Sequence, residues 1–242
     1  YLRSVGIRSL PATIGTLAFA FGGYNIGWLC WPQTNAIFFL PLSFFLLEKI
    51  LAGAQTMRSL CFFSIGAGVA CLGGHPESLT QVAFADVLYL CGRLPGSRMG
   101  WKRASIIVLQ VALAGLMGIL LAGIQVFPFL EYLVHSEAIM RADPACHGEG
   151  QFLRSFQAAV NLMPDLFGNR VITGKYFLPE RNYIEAVGGY AGMAMLILAF
   201  LGAVSVKEKS YRLCWIGLSI VTLATAYQAP MISSVVARIP FL

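Results

Sequence analysis

The sequence predicts an all-α integral membrane protein: a polytopic helix bundle with about seven hydrophobic segments and one long extracytoplasmic loop. Two observations favour this fold class. Hydrophobic residues make up 57% of the 242 residues and charged residues only 12%, with a mean hydropathy of +0.72. A soluble domain has about 25% charged residues. Several apolar stretches also reach, or nearly reach, the roughly 20 residues that a membrane-spanning helix needs.

The seven segments are interpreted as helices because an unpaired backbone cannot cross hydrocarbon. They cover residues 10–30, 35–52, 57–74, 76–92, 104–127, 184–206 and 211–228. The third and fourth are short and joined by GGHPES, so they form either two full spans or one re-entrant hairpin. Both alternatives leave residues 58 and 93 on the same side, and the topology of the other segments is unchanged.

Loop charges predict the orientation. The loops at one face hold most of the Lys and Arg residues, whereas the opposite face holds slightly more acidic than basic residues. The positive-inside rule therefore places the first face in the cytoplasm and the loop 128–183 outside. The domain is a single transmembrane unit, with residues 229–242 as an outer re-entry segment. The basic pI of about 9.1 reflects this topology, and we expect no nucleic-acid partner.

The two ends of the chain indicate a segment of a larger protein. Tyr1 is not an initiator, no signal-peptide region precedes the first apolar segment, and the sequence stops at ARIPFL without a polar tail. We therefore expect further helices on at least one side.

The stretch GIQVFPFLEYLVHSEAIMR, residues 123–141, carries the first chemical signal. Its pattern predicts a long apolar helix that ends at Pro128 and is followed by Glu131, His135, Ser136 and Glu137. Acid, base and hydroxyl groups would then lie at the membrane surface. This stretch also opens the long polar loop, where chemistry on water-soluble groups is expected.

The loop has internal order. Residues 151–163 place Phe152, Phe156 and Val160 on one stripe, which predicts an amphipathic α-helix lying on the membrane surface. The following PDLFGNR interrupts that helix and presents Asp165 and Arg170.

Polar residues inside the apolar segments must be solvated or paired. Asp86 is interpreted as a hydrogen-bonding partner between helices or the lining of a wet cavity, with a proton or substrate role as the alternative. His75, within GGHPES, is either a turn residue with its hydrogen bonds satisfied or a ligand contact. Small residues four apart, such as Ala114 and Gly118, predict close helix packing.

No cofactor is predicted. The cluster DPACHGE, residues 143–149, has Cys, His and acidic side chains that suit zinc, but Pro144 and Gly148 favour a loop turn. A need for a divalent cation is left open.

Six segments occur in an order that resembles a known family. They are FAFGGYNIGWLCWPQTNAIFFLPL, GGHPES, GIQVFPFLEYLVHSEAIMR, NLMPDLFGN, IEAVGGYAGMAMLILAFLG and ARIP. This series resembles the central membrane region of the YfhO-type bacterial membrane proteins, over nearly the whole chain. Each motif alone is weak, whereas six in order are fairly specific.

The resemblance implies a GT-C-like glycosyltransferase of the bacterial cytoplasmic membrane. Such an enzyme takes a sugar from a polyprenyl-phosphate donor and adds it, on the outer face, to a cell-envelope glycan or lipid. The expected partners are that donor, that acceptor and membrane lipids. In that family the presumed catalytic carboxylate lies in the first outer loop, upstream of Tyr1, and a second basic residue stands where this chain has Leu242.

This chemistry indicates which residues are candidates. Attack by an acceptor hydroxyl needs a carboxylate to take the proton, and Glu131 and Asp165 are the candidate catalytic acids. The departing phosphate needs positive charge or hydrogen-bond donors. The candidate substrate-binding residues are His75, Arg141, Arg170 and Arg238.

Other interpretations stay open. Glu131 is alternatively a stabilising charge at a helix N-terminus after Pro128, and each arginine is alternatively part of a surface ion pair. A flippase or other transporter of lipid-linked sugars, or a noncatalytic scaffold of an envelope-synthesis complex, would use the same kind of helices.

Overall fold

The computed structural model describes residues 1–53, 55–97, 99–135, 155–169, 175–176, 189–205 and 209–227. Ten α-helices occur within these ranges: α1 Ser9–Ala20, α2 Gly23–Gly27, α3 Pro32–Ile37, α4 Phe39–Leu51, α5 Thr56–Leu72, α6 Pro76–Arg93, α7 Trp101–Leu121, α8 Gly123–His135, α9 Met193–Ser205 and α10 Lys209–Ala226. Short 3-10 helices cover Pro95–Ser97 and Ser155–Asn161. The all-helical class predicted from the sequence is confirmed.

The described residues include one small β-hairpin. Strand β1, Gly168–Asn169, pairs in antiparallel register with β2, Lys175–Tyr176, so that Gly168 lies opposite Tyr176. The 3-10 helix just before it replaces the amphipathic α-helix predicted for residues 151–163. Ser155–Asn161 has the tighter winding typical of short connecting segments, and residues 151–154 lie outside the described ranges.

Two helical stretches in the described part of the chain are long and apolar enough to cross a membrane. They are Pro32–Leu51, which includes α3 and α4, and Trp101–Leu121, which is α7. Shorter apolar helices cover Thr56–Leu72, Met193–Ser205 and Tyr211–Ala224. The assignment of seven segments stays a prediction.

The prediction that an apolar helix ends at Pro128 is wrong. Helix α7 ends at Leu121, and α8 begins at Gly123 and contains Pro128 in its interior. The interruption falls earlier, at Ala122, whose φ of −88° and ψ of 15° are not helical and end α7 before Gly123 begins α8. Glu131 consequently lies in the C-terminal part of α8. Its interpretation as a charge stabilised at a helix N-terminus is also wrong, since the dipole favours anions only at the opposite end.

The core lies among α4, α5, α6, α7 and α10. Leu47 and Tyr89 are fully buried, and Ile50 and Val82 are nearly so. Outside this core, large apolar side chains cover the exposed faces of several helices; on α7 they include Leu109, Leu113 and Leu121. Exposed apolar surface of this extent is typical of a contact with lipid or another protein.

Helices α5 and α7 approach closely at two glycines. A Cβ at Gly118 would lie 2.6 Å from the Ser64 carbonyl oxygen and 2.7 Å from the Ala67 Cβ, and one at Gly68 would lie 3.0 Å from the Gly118 carbonyl oxygen. The close packing predicted at Ala114 and Gly118 is confirmed. Because these neighbours are mainly backbone, they cannot move aside for a larger residue.

A buried polar network, which we call the Glu48 network, connects α4, α6 and α10. Arg93 Nε donates to Glu48 Oε1 at 2.8 Å, and the Tyr89 hydroxyl donates to the same oxygen at 2.6 Å. The Tyr211 hydroxyl donates to Glu48 Oε2 at 2.9 Å, and the Arg93 guanidinium lies 3.4 Å from the centre of the Tyr211 ring. The Glu48 carboxylate and the Arg93 guanidinium therefore neutralise each other's charge within the protein.

The N-terminal residue extends this network. The Tyr1 and Tyr89 hydroxyls are 2.9 Å apart, and the Tyr1 ring contacts Phe44 and Trp215 edge to face. Burial raises the pKa of the Tyr1 phenol, so the hydroxyl stays neutral as a hydrogen-bonding group.

Asp86 pairs with a neighbouring helix. The Ser43 hydroxyl of α4 donates to Asp86 Oδ1 of α6 at 2.7 Å, and both residues are buried. The predicted hydrogen bond between helices is confirmed.

Substitution of Gly118 tests the α5–α7 contact. We expect Gly118→Ala to lower the free energy of unfolding by about 1–3 kcal/mol, because its methyl group meets backbone that cannot yield. Gly217→Ala is the matched control, since Gly217 lies within α10 with open space around its α-carbon. Alanine should there stabilise the helix by about 0.5–1 kcal/mol. Thermal unfolding of both variants in detergent measures the contrast, and a Gly118→Ala protein as stable as the parent would contradict it.

Candidate functional site

His75 begins helix α6 at a sharp turn. Gly74 has a φ of +80°, a left-handed conformation that glycine adopts readily. His75 Nδ1 accepts a hydrogen bond from the Ser78 backbone N–H at 3.1 Å, and Pro76 occupies the first helical position. His75 is therefore the cap of helix α6, and this hydrogen bond gives Nδ1, one of its two ring nitrogens, a partner.

The cap fixes the chemistry of the imidazole. Because the Ser78 N–H can only donate, Nδ1 must be the acceptor and the proton of the neutral ring lies on Nε2. The half-buried ring thus presents Nε2–H as a hydrogen-bond donor. Such a donor suits a phosphate or sugar oxygen.

The turn at His75 meets two other motif segments. The Tyr24 hydroxyl of α2 lies 3.3 Å from the Ser78 hydroxyl. A Cβ at Gly73 would lie 3.0 Å from the Asn35 Cβ of α3, and one at Gly74 would lie 4.0 Å from Gln125 Nε2 of α8. This end of the bundle therefore brings together α2, α3, α8 and the α5–α6 turn.

Two later segments reach the same end. The Gly23 backbone N–H donates to the Tyr190 carbonyl at 3.0 Å. Gly189 packs against the Asn161 side chain, and Asn161 Nδ2 donates to the Tyr227 hydroxyl at 2.7 Å. We call this assembly of α2, the α5–α6 turn, the start of α8, Asn161 and residues 189–191 the motif end.

A cleft of about 230 Å³ lies at the motif end. Its lining is mostly apolar and is formed by α1, α2, Ile37 and residues 189–191. Asn25 also lines the cleft, is 4% exposed and donates from Nδ2 to the Phe19 carbonyl at 2.6 Å.

The two candidate carboxylates are both exposed. Glu131 lies on α8, six residues after Gln125 and thus about 9 Å further along the helix axis. Asp165 lies in the turn that follows Asn161, where its carbonyl accepts from the Gly168 N–H at 3.0 Å. Glu131 is therefore carried by the helix that starts at the motif end, and Asp165 by the turn that follows Asn161. In the described part of the chain, no hydrogen bond or ion pair joins Glu131 to His75.

The structure does not describe the three remaining candidate residues. Arg141, Arg170 and Arg238 lie outside the described residues, as does the cluster DPACHGE. Among the residues that the structure describes, no group of three His, Cys, Asp or Glu side chains could hold a metal ion.

The Glu48 network was not predicted as a site. The sequence analysis assigned neither Glu48 nor Arg93 to a candidate site. Both charges adjoin long apolar runs, and charges in such positions are usually paired. That rule indicates that each needs a partner, but it does not identify the partner.

Comparisons with known proteins give no relative: no protein-family model, curated protein or solved structure matches this chain. The resemblance to YfhO-type proteins therefore stays a prediction.

Two substitutions of His75 test its role as the cap of helix α6. We expect His75→Ala to lower the free energy of unfolding by about 1 kcal/mol, because the Ser78 N–H loses its acceptor. His75→Asn should be nearly as stable as the parent, since asparagine is also a good helix cap. Denaturant unfolding of both proteins compares them, and equal stabilities of the Ala and Asn variants would contradict the cap.

Proposed function

We propose that this chain belongs to a GT-C-like glycosyltransferase that transfers a sugar from a polyprenyl-phosphate donor to a cell-envelope glycan or lipid. In this proposal all seven hydrophobic segments contribute to a polytopic bundle in the bacterial cytoplasmic membrane, and the motif end faces outward. The observation that carries the proposal is the convergence of five motif segments at one end of the bundle.

The contacts between those segments form a connected series. Segment 19–42 meets residues 73–78 through Tyr24 and Ser78, and meets segment 184–202 through Gly23 and Tyr190. The turn at residues 73–78 adjoins segment 123–141 at Gln125. Segments 161–169 and 184–202 meet at Asn161 and Gly189. Ligand sites often form between the helices of a bundle, where segments that are distant in sequence meet.

The chemistry of the donor matches this end. A polyprenyl-phosphate sugar has an apolar chain that stays in the bilayer and a charged head at its surface. The apolar cleft beside Asn25 provides a wall for the chain. The Nε2–H of His75 provides a neutral donor for a phosphate or sugar oxygen, and we assign Arg141, Arg170 and Arg238 to neutralise the phosphate.

The proposed transfer is a displacement at the anomeric carbon. The acceptor oxygen forms a bond to that carbon while the bond from the carbon to the phosphate oxygen breaks. The acceptor proton passes to Glu131 or Asp165, and polyprenyl phosphate leaves as the anion. Both carboxylates are exposed, so an acceptor from the aqueous side can reach them.

Reconstitution of the protein with a labelled lipid donor tests the assignment of Glu131 and Asp165. We expect transfer to candidate acceptors, and we expect the double variant Glu131→Gln with Asp165→Asn to lower its rate about 100-fold or more, because neither candidate carboxylate then takes the acceptor proton. Glu77→Gln is the control, as Glu77 is an exposed carboxylate on the first turn of α6. Its rate should stay within a few-fold of the parent.

Two outcomes would count against the proposal. Undiminished transfer by the double variant would remove Glu131 and Asp165 from the site. Net movement of the intact donor across the bilayer, without any transfer, would instead favour a flippase.

A further inference from the structure

At the end of the bundle opposite the motif end, four basic residues lie in the helix ends next to the α4–α5 turn. Lys49 lies in the last turn of α4, Arg58 in the first turn of α5, and Lys102 and Arg103 begin α7. All four side chains are exposed. We call these four residues the basic patch.

The backbone brings the patch together at Gly53. This residue joins α4 to α5 with a φ of +71°. A Cβ there would lie 3.0 Å from Arg103 Nη2, so the guanidinium of α7 lies against the α4–α5 turn. Lys49 and Arg58 are four residues before and five residues after Gly53. Three separate helices therefore contribute positive charge to one small surface.

This positive charge has no balancing carboxylate among the described residues. No acidic residue occurs between positions 49 and 58 or between 99 and 110. Glu48 adjoins Lys49, but its two oxygens accept from Arg93, Tyr89 and Tyr211. The ion pair between Arg93 and Glu48 involves none of the four patch residues. Among the described residues the patch therefore carries a net positive charge, which an external anion can neutralise.

Apolar side chains border the patch. Trp101 is 84% exposed and Met57 is 74% exposed. Exposed Phe62 lies beneath the Arg58 guanidinium, 5.6 Å from ring centre to Cζ, and Ile106 and Leu109 continue the apolar face along α7. Tryptophan at such a border is typical of the interface between lipid headgroups and acyl chains.

We propose that the basic patch binds an anionic phospholipid. Its phosphodiester lies on the patch, and its acyl chains lie along the apolar faces of α5 and α7. A nucleic acid or soluble anion would use the charge alone and leave that apolar border unexplained. Basic surfaces between helices on one side of a membrane are known to select anionic headgroups.

Native mass spectrometry of the protein in a neutral detergent measures lipid binding at this site in the absence of a charged bilayer surface. We expect one phosphatidylglycerol to be retained at concentrations where phosphatidylcholine is not. The double variant Arg58→Gln with Arg103→Gln should bind roughly 25-fold more weakly, because each cation near an anionic headgroup contributes a factor of about five. Soluble glycerol 1-phosphate should not displace the lipid, since it lacks the chains.

A charge-matched control is available on the same predicted face. Arg3→Gln with Arg8→Gln removes two exposed arginines outside the patch and should leave binding within twofold. Equal losses in the two double variants, no preference for phosphatidylglycerol, or displacement by glycerol 1-phosphate would overturn the proposal. Should the first variant fail to fold, Lys49→Gln with Lys102→Gln is judged by the same criteria. The assay uses no sugar transfer, so its outcome is independent of the proposed function.

Discussion

The pairing of Glu48 with Arg93 is the constraint on which the arrangement of α4, α6 and α10 depends. Both side chains are largely buried, with 12% and 15% exposed, and leaving one buried charge without its partner typically costs about 3–5 kcal/mol. The hydroxyls of Tyr89 and Tyr211 donate further hydrogen bonds to the Glu48 carboxylate. The pair and Tyr211 therefore hold three helices, which are distant in sequence, together at the end opposite the motif end. With that end fixed, α4 and α6 also align at Ser43 and Asp86.

The two ends of the bundle have different chemical characters. The motif end has neutral polar groups, such as Tyr24, Asn25 and His75, around an apolar cleft. The opposite end holds the Glu48 network and the exposed basic patch. Loops that the charge pattern assigned to one face do meet in space: Gly53 meets Arg103 at one end, and Gly74 meets Gln125 at the other. This segregation is the physical basis for the proposed outward-facing site.

Much of the helical organisation could be predicted from the sequence, because long apolar runs and small-residue spacings such as Ala114 and Gly118 depend on local composition. The break between α7 and α8 could not. The interruption falls at Ala122, whereas Pro128, which alone indicated a helix end, lies inside α8. The partner of Glu48 is 45 residues away in sequence, and no local pattern specifies such a pairing. His75 was identified as a candidate, but its capping bond depends on the fold of the turn.

The central claim is that the motif end and the basic patch lie on opposite sides of a membrane. Single cysteines at Glu77→Cys and Lys102→Cys, in a protein whose native cysteines are replaced, test it with a membrane-impermeant maleimide on intact cells. Both parent side chains are exposed. The account predicts that position 77 reacts in intact cells and that position 102 reacts only after permeabilisation. Reaction of both positions in intact cells, or the reverse order, would contradict it.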